Sequence, residues 1–219
     1  MPVSETTSSA AIPFHQSVRR STLEAHQRAN HSPFMDALFD GRLAVADYAR
    51  LVEQYSFVYG ALESVSDTLA AHPVAGPFVI DTLRRRDRIA ADLDFFRVTD
   101  PEPLPSTERY AARIREVADW PAGFVAHHYT RYLGDVAGGQ AVAALLPRRY
   151  GVTGGGTAFY DFSDLGPVPR FREHYRALLD AAPWDEAERA RVVDEVKTAY
   201  ELNIAMFHDL WDRAEPAAA

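Results

Sequence analysis

Apolar positions recur at intervals of three and four residues through almost the whole chain. The pattern is clearest after Gly41, where the apolar positions are Val45, Tyr48, Val52, Tyr55, Tyr59 and Leu62. Residues spaced in this way share one face of an α-helix, so the segment is predicted to bury that face against a core. The strict alternation that marks a half-buried strand does not occur over any length. The pattern therefore predicts an all-α fold.

Breaks in these stripes divide the chain into seven predicted helices. They are expected at 15–30, from just after Gly41 to just before His72, at 77–97, from about 106 to 119, at 121–149, at 169–180 and at 185–213. We see no internal repeat and no linker between domains. The sequence thus predicts one helical bundle domain at 13–213, with a disordered N-terminus at 1–12 and a flexible tail at 214–219.

The composition is that of a globular protein and excludes several classes of function. Of the 219 residues 47% are hydrophobic, but no run approaches the ~20 consecutive apolar residues of a membrane span. The net charge is −8 and there is no long basic run, so a nucleic-acid partner is not expected. The absence of cysteine excludes disulfides and thiolate ligands, and we expect a cytoplasmic protein.

The stretch RYLGDVAGGQ at 131–140 places three glycines inside a predicted helix. Each of Gly134, Gly138 and Gly139 costs a helix interior about 1 kcal/mol relative to alanine. The first two lie on one face, which allows close packing of another helix or of a flat ligand. The spacing alone favours helix packing, whereas the third glycine and the neighbouring Asp135 favour a ligand.

Two further groups of residues have ligand-binding chemistry. His26 adjoins a row of small apolar residues, and a neutral imidazole is a common axial ligand of haem iron; a partly buried structural histidine is the more frequent alternative. Arg172 and Arg176 are four residues apart on one predicted helix and could pair with carboxylates, or could simply form a solvated basic face. No glutamate is followed by histidine three residues later, so the sequence lacks the usual signature of a di-iron bundle.

These segments together resemble the haem oxygenase family. YLGDVAGGQ is similar to the family's distal-helix signature, with Val136-Ala137 in place of its usual Leu-Ser pair. STLEAHQRAN, followed by FM and LFDGRL, is similar to its proximal segment, and LNIAMF lies in the matching C-terminal helix. The resemblance extends from about residue 15 to 212.

The resemblance implies a haem (haem b) held between a proximal helix and a kinked distal helix. His26 matches the proximal iron ligand. The residues that match the catalytic distal face and its hydrogen-bond network are Gly134, Gly138, Asp135, Arg131, Tyr59 and Asn203. The residues that match other haem contacts, mainly those to the propionates, are Gly139, Arg19, Tyr129, Arg172 and Arg176. Asn30 stands where relatives commonly have a glutamate hydrogen-bonded to the iron-ligating imidazole.

The function implied is oxidative cleavage of haem to biliverdin, carbon monoxide and ferrous iron, with iron acquisition as its purpose. Haem would be both cofactor and substrate, O2 the oxidant, and a separate reductase of the ferredoxin or flavin type the electron donor. Two alternatives stay open: a non-catalytic haem-binding sensor or storage protein, and a haem-free protein of the same helical superfamily.

Overall fold

The structure is a computed structural model that describes residues 12–214. Within that range it contains ten α-helices, one π-helical turn, five short 3-10 turns and no strand. The α-helices are α1 (Phe14–Ser21), α2 (Leu23–Asn30), α3 (Pro33–Asp40), α4 (Val45–Leu69), α5 (Arg86–Phe95), α6 (Pro105–Glu116), α7 (Pro121–His128), α8 (Gly134–Arg149), α9 (Val168–Ala181) and α10 (Glu186–Trp211). The predicted all-α class is confirmed. The predictions for 1–12 and 214–219 concern residues outside the described range, apart from Ile12 and Ala214.

The predicted helix at 15–30 is two helices that meet at Thr22. Thr22 has φ −114° and ψ 5°, outside the helical region, and its hydroxyl donates to the Val18 carbonyl at 2.8 Å. The bend lets α1 pack against α9 while α2 packs against α10. The break therefore separates Arg19, on α1, from His26, on α2.

The helix α3 was not predicted from the apolar stripes. Ser32 caps it by accepting a hydrogen bond from the Met35 amide at 3.4 Å, and Pro33 fills its first position. Gly41 ends it in the left-handed conformation, at φ 74°. These capping residues were visible in the sequence, but a helix of eight residues is too short for a periodic stripe to stand out.

The predicted helix at 77–97 is wrong over its first half. The chain instead makes two 3-10 turns, Gly76–Phe78 and Asp81–Leu83, before α5 begins. The cause is Arg85, a fully buried side chain whose guanidinium donates to the carbonyls of Thr82 and Leu83 at 2.9 and 2.7 Å. Those carbonyls are therefore satisfied by a side chain instead of a helical amide.

The predicted helix at 121–149 is helical over its whole length, but its hydrogen bonding is not uniform. Tyr129–Leu133 form a π-helical turn between α7 and α8. Gly134 itself has ordinary helical angles, φ −61° and ψ −51°. The irregularity in this helix is thus a π turn just before the glycines, of a kind that is frequent at functional sites.

The core is organised around the two longest helices, α4 and α10. α4 packs against α5 and α6, and α10 packs against α2, α3, α6 and α7. Full burial of each large apolar side chain along them contributes about 1.5–3 kcal/mol. In the described range, no helix is both long and apolar enough to cross a membrane.

Candidate functional site

His26 is exposed on α2, between the buried Ala25 and Ala29. Its ring packs edge-on against the Tyr200 ring of α10, with the centroids 5.9 Å apart and the planes at 89°. Partial burial, and secondarily the Arg19 guanidinium, lower the pKa of His26. The imidazole is therefore neutral at pH 7 and keeps a nitrogen lone pair for a metal ion.

Asn30 contacts His26 from one helical turn away. Its amide nitrogen lies 3.3 Å from Nε2 of the imidazole. The four-residue spacing thus brings the two side chains together, as it predicts. Because the amide carries no charge, it cannot increase the basicity of the imidazole as a carboxylate would.

The three glycines of the motif have two different surroundings. A Cβ atom added at Gly134 or Gly138 would have no described heavy atom within 4 Å, and both positions are exposed. A Cβ atom at Gly139 would come within 2.4 Å of Cδ1 of Tyr160. The lack of a side chain at Gly139 is therefore explained by packing against Tyr160, and its assignment to haem binding stays a prediction, whereas Gly134 and Gly138 leave an open helix face.

Asp135 lies beside this open face and is held by two side chains. It accepts a short hydrogen bond from the Tyr59 hydroxyl, and Nη2 of Arg131 lies 3.4 Å from each of its oxygens. Burial raises the pKa of Asp135 well above its usual range. The carboxyl group can therefore hold a proton at pH values where an exposed aspartate would have lost it.

Arg131 connects Asp135 to α10. Its Nη1 donates to Oδ1 of Asn203 at 2.6 Å, and its guanidinium carbon lies 4.6 Å from the Tyr55 ring centroid. Its buried Nε has no hydrogen-bond partner among the described residues.

A basic group surrounds Tyr129 in the π turn. Burial raises the pKa of this tyrosine, and the guanidiniums of Arg176, Arg19 and Arg172 act against that rise, in that order of size. The fold thus brings α1 and α9 to the same side chain, although these arginines are far apart in sequence. Three guanidiniums close enough to influence the pKa of one hydroxyl fit a ligand with carboxylates.

Two tyrosines at this site were not predicted from the sequence as functional. Tyr200 belongs to the apolar stripe of the last helix, and nothing in that stripe distinguishes a residue that contacts His26. Tyr160 lies in the 3-10 turn Ala158–Tyr160, within a loop that has no periodicity. The one sequence signal for Tyr160 is Gly139, next to Gly138 on α8, because its missing side chain leaves space for a ring to pack there.

The site as a whole fits a flat, largely apolar ligand that carries a metal ion and acidic groups. The open glycine face accepts a planar body, the neutral His26 imidazole a metal, and the arginines around Tyr129 the acidic groups. These are the properties of haem. The fold and the site thus define a helical haem-binding protein.

Comparison with known proteins gives the family. The family model described as heme oxygenase matches residues 12–209. Heme oxygenase 1 of Nostoc sp. is 33% identical over 88% of this chain and 84% of its own length. The crystal structure of heme oxygenase-1 from the cyanobacterium Synechocystis sp., in complex with heme, has a TM-score of 0.87 at 31% identity, over 91% of this chain and 92% of that one. The chain belongs to the haem oxygenase family.

A more distant similarity concerns the fold alone. A TenA homologue from P. horikoshii has a TM-score of 0.68 at 14% identity, over 92% of this chain and 99% of that one. The helical arrangement is therefore shared at low sequence identity, and function has to be argued from the site.

Proposed function

We propose that this chain is a haem oxygenase that binds haem as both cofactor and substrate and cleaves it to biliverdin, carbon monoxide and ferrous iron. The observation that carries the proposal is the position of Asp135 between two open glycines, with its carboxyl group held by Tyr59 and Arg131. Bound haem supplies the iron at which O2 reacts and the ring carbon that is oxidised. The chain supplies space for O2, a proton donor and the groups that orient the haem.

On the proximal side, His26 is the residue that would bind the iron. Its neutral state and its exposure on α2 support this role. The perpendicular contact with Tyr200 holds the ring from one side, and Asn30 lies beside it one helical turn away. The ligand is therefore oriented before haem arrives, which reduces the entropy lost on binding.

On the distal side, Gly134 and Gly138 leave room over the haem for O2 but not for a bulky side chain on the helix. Burial raises the pKa of Asp135, which suits its carboxyl group to deliver a proton at this face. Tyr59 and Arg131 keep the carboxyl oriented, and Asn203 keeps Arg131 in place. A positioned acid of this kind contributes about 10²–10⁴ in rate.

The arginines around Tyr129 would hold the haem propionates. Two guanidiniums on α9, from Arg172 and Arg176, and one on α1, from Arg19, set the rotation of the ring in its plane. The rotation of a bound haem would decide which bridging carbon is oxidised. The choice of the carbon that is cleaved is thus determined by groups remote from the oxygen.

The electrons are proposed to come from a separate reductase of the ferredoxin or flavin type, and the purpose to be iron acquisition in the cytoplasm. Fractionation of cells that produce the chain tests the location. Pull-down with haem-loaded protein from the same cells, followed by reduction assays, tests the electron donor.

Addition of one equivalent of hemin to the purified chain, followed by ascorbate in air, tests the activity. A Soret band that forms and then decays to a green bilin, with carbon monoxide released, is expected. A Soret band that persists with a competent reductase instead indicates a non-catalytic haem-binding protein. A spectrum without a Soret shift would show that the chain does not take haem.

A further inference from the structure

The start of α1 is tied to the end of α9 by one carboxylate. Oδ1 of Asp180, on α9, accepts a hydrogen bond from the backbone amide of His15 at 2.9 Å, and Oδ2 lies 2.7 Å from Nδ1 of the His15 ring. Because a carboxylate can only accept, the ring nitrogen donates the second bond. The two side chains are 22% and 33% exposed, so the pair is better shielded from water than an ion pair on the surface. We call this pair the α1–α9 clasp.

The clasp supplies α1 with a cap that its own sequence lacks. The residue before the helix is Pro13, whose side chain makes no capping bond, and the first turn contains no acidic residue. The amide of His15 is one of the first donors of the helix, which have no helical carbonyl within reach, and a carboxylate from another helix satisfies it. A negative charge at this end also interacts favourably with the dipole of α1. α1 therefore depends on α9 for its N-terminal cap.

The clasp is in register with the arginines assigned to the propionates. Arg19 lies one turn after His15 on α1. Arg176 and Arg172 lie one and two turns before Asp180 on α9. Positions four residues apart share one face of a helix. The arginines therefore continue the line of the clasp along both helices.

The three guanidiniums carry like charges that favour separation of α1 from α9. All three act on the pKa of the Tyr129 hydroxyl, so the fold gathers them at one place. Within the described range, none of the three forms an ion pair with a carboxylate. Like charges gathered without a counter-charge repel one another. The clasp opposes this repulsion before a ligand with carboxylates can do so.

We propose that His15 and Asp180 are positioning residues, which hold α1 against α9 so that the arginines of both helices are assembled before haem binds. The inference rests on the proposed function, since it takes these arginines as the partners of the haem propionates. The clasp and the propionates both favour the docked position of α1, so each strengthens the other. Less of the binding free energy is then lost in ordering α1.

The test compares hemin with hemin dimethyl ester, which has the same ring and iron but no free carboxylate. Asp180→Ala removes both bonds of the clasp and should weaken hemin binding by about fivefold or more, a typical size for coupling between two sites. Its affinity for the dimethyl ester should equal that of the parent chain. Asp180→Asn retains an acceptor for the His15 amide, so its loss of hemin affinity should be smaller. Titration of the Soret band gives each dissociation constant.

Electrostatics without a clasp predicts a change of the opposite sign. Removal of a negative charge one turn from Arg176 should by itself strengthen the binding of an anionic ligand, and to the same extent in Asp180→Ala and Asp180→Asn. Asp67→Ala is the matched control, because it removes the same charge from a carboxylate on α4 that pairs with Arg84 at 2.7 Å. This control should leave the affinities for hemin and for the dimethyl ester unchanged.

Two results for Asp180→Ala would overturn the proposal. One is a hemin affinity equal to or higher than that of the parent. The other is an equal loss for hemin and the dimethyl ester, because the clasp would then support the fold and not the arginines.

His15→Ala gives a second reading if circular dichroism shows that Asp180→Ala does not fold. It removes only the ring bond, and the buried Phe14 and Val18 keep α1 anchored. It should lose affinity for hemin but not for the dimethyl ester, and unchanged hemin affinity would overturn the proposal. A parent chain that binds hemin without forming biliverdin contradicts the proposed function alone, and the affinities still decide on the clasp. A parent chain that does not bind hemin overturns both.

Discussion

Tyr200 and Asn203 lie one turn apart on α10 and reach the two sides of the haem site. Tyr200 packs against His26 at 5.9 Å between ring centroids, and Asn203 accepts from Arg131 at 2.6 Å. One helix therefore sets the proximal imidazole and the distal network in a fixed relation. The distance between His26 and the distal network is then set by α10 and not by the connecting loops.

Asp135 is expected to be essential for cleavage but not for haem binding. Asp135→Asn keeps the shape and loses the acid, so biliverdin yield should fall by about 10²-fold or more while the Soret band on mixing is unchanged. Single-turnover absorption with ascorbate measures both. Asp94→Asn, at an exposed position on α5, is the control; equal yields from Asp135→Asn and the parent would remove the proposed role.

Neighbouring glycines of the motif should respond to alanine in opposite ways. Gly138→Ala should stabilise the haem-free chain by up to about 1 kcal/mol, since the added Cβ meets open space and alanine favours helix. Gly139→Ala should destabilise by about 1–3 kcal/mol, because its Cβ overlaps Tyr160. Denaturant unfolding without haem measures both changes. Gly138→Leu should weaken haem binding without loss of folding, and full haem affinity in that variant would show that the open face is not the haem surface.

Asn30→Glu should lower the reduction potential of the bound haem. A carboxylate one turn from His26 increases the basicity of the imidazole, which stabilises ferric over ferrous iron. Spectroelectrochemical titration of the hemin complex gives the potential. Gln27→Glu adds the same charge on α2 outside the His26 contact, and a shift of equal size in that variant would mean that the effect is only electrostatic and long-range.

Arg172→Ala and Arg176→Ala should each weaken haem binding by about 1.5–3 kcal/mol, the contribution of a hydrogen bond to a charged group. They should also change which biliverdin isomer is formed, because the ring is less firmly held in its plane. Hemin titration and chromatography of the product measure the two effects. Arg170→Ala is the control on the same helix, since Arg170 does not influence Tyr129. Identical isomers from all three variants would contradict the propionate assignment.

Acid should unfold the chain partly through a cluster of the buried Glu195 and His127 with the half-buried Arg113. Burial acts to raise the pKa of Glu195, but hydrogen bonds from His127 and Arg113 outweigh it and lower the value to about 2. The unfolded value is about 4.3, so this carboxylate stabilises the fold fully above that pH and loses its contribution as pH falls towards 2. Glu195→Gln should reduce the pH dependence of the unfolding free energy in that window.

Glu201→Gln is the control for the acid experiment. Glu201 pairs with Arg28 at the surface, where an ion pair contributes about 0–1 kcal/mol. Its variant should unfold with the pH dependence of the parent. A Glu195→Gln protein that follows the parent's curve between pH 4 and 2 would contradict the assignment of the pKa shift.

The sequence predicts the helical class and the long helices because their apolar stripes extend over several turns. It fails where side chains from distant segments decide the local structure. Arg85 satisfies the carbonyls of Thr82 and Leu83 and thereby prevents a helix that the pattern favours. α3 was missed for the opposite reason, since its signal lies in the caps at Ser32 and Gly41 and not in a stripe.

The candidate site was predictable to the extent that its residues lie in a recognisable motif. His26, Asp135 and the open glycines come from such segments, and the structure places suitable partners around each. Tyr160 and Tyr200 could not be found in this way, because a buried tyrosine has the same pattern whether it contacts core or site. The division between Gly138 and Gly139 likewise depends on which ring packs behind the helix.

The most direct test of the central claim is the amount of carbon monoxide released per haem when the hemin complex is supplied with reductant and O2. The account predicts carbon monoxide and biliverdin in equimolar amounts, with the loss of the Soret band in step, and neither product from Asp135→Asn. A Soret band that persists without carbon monoxide, under a reductant that turns over another haem oxygenase in parallel, would contradict it.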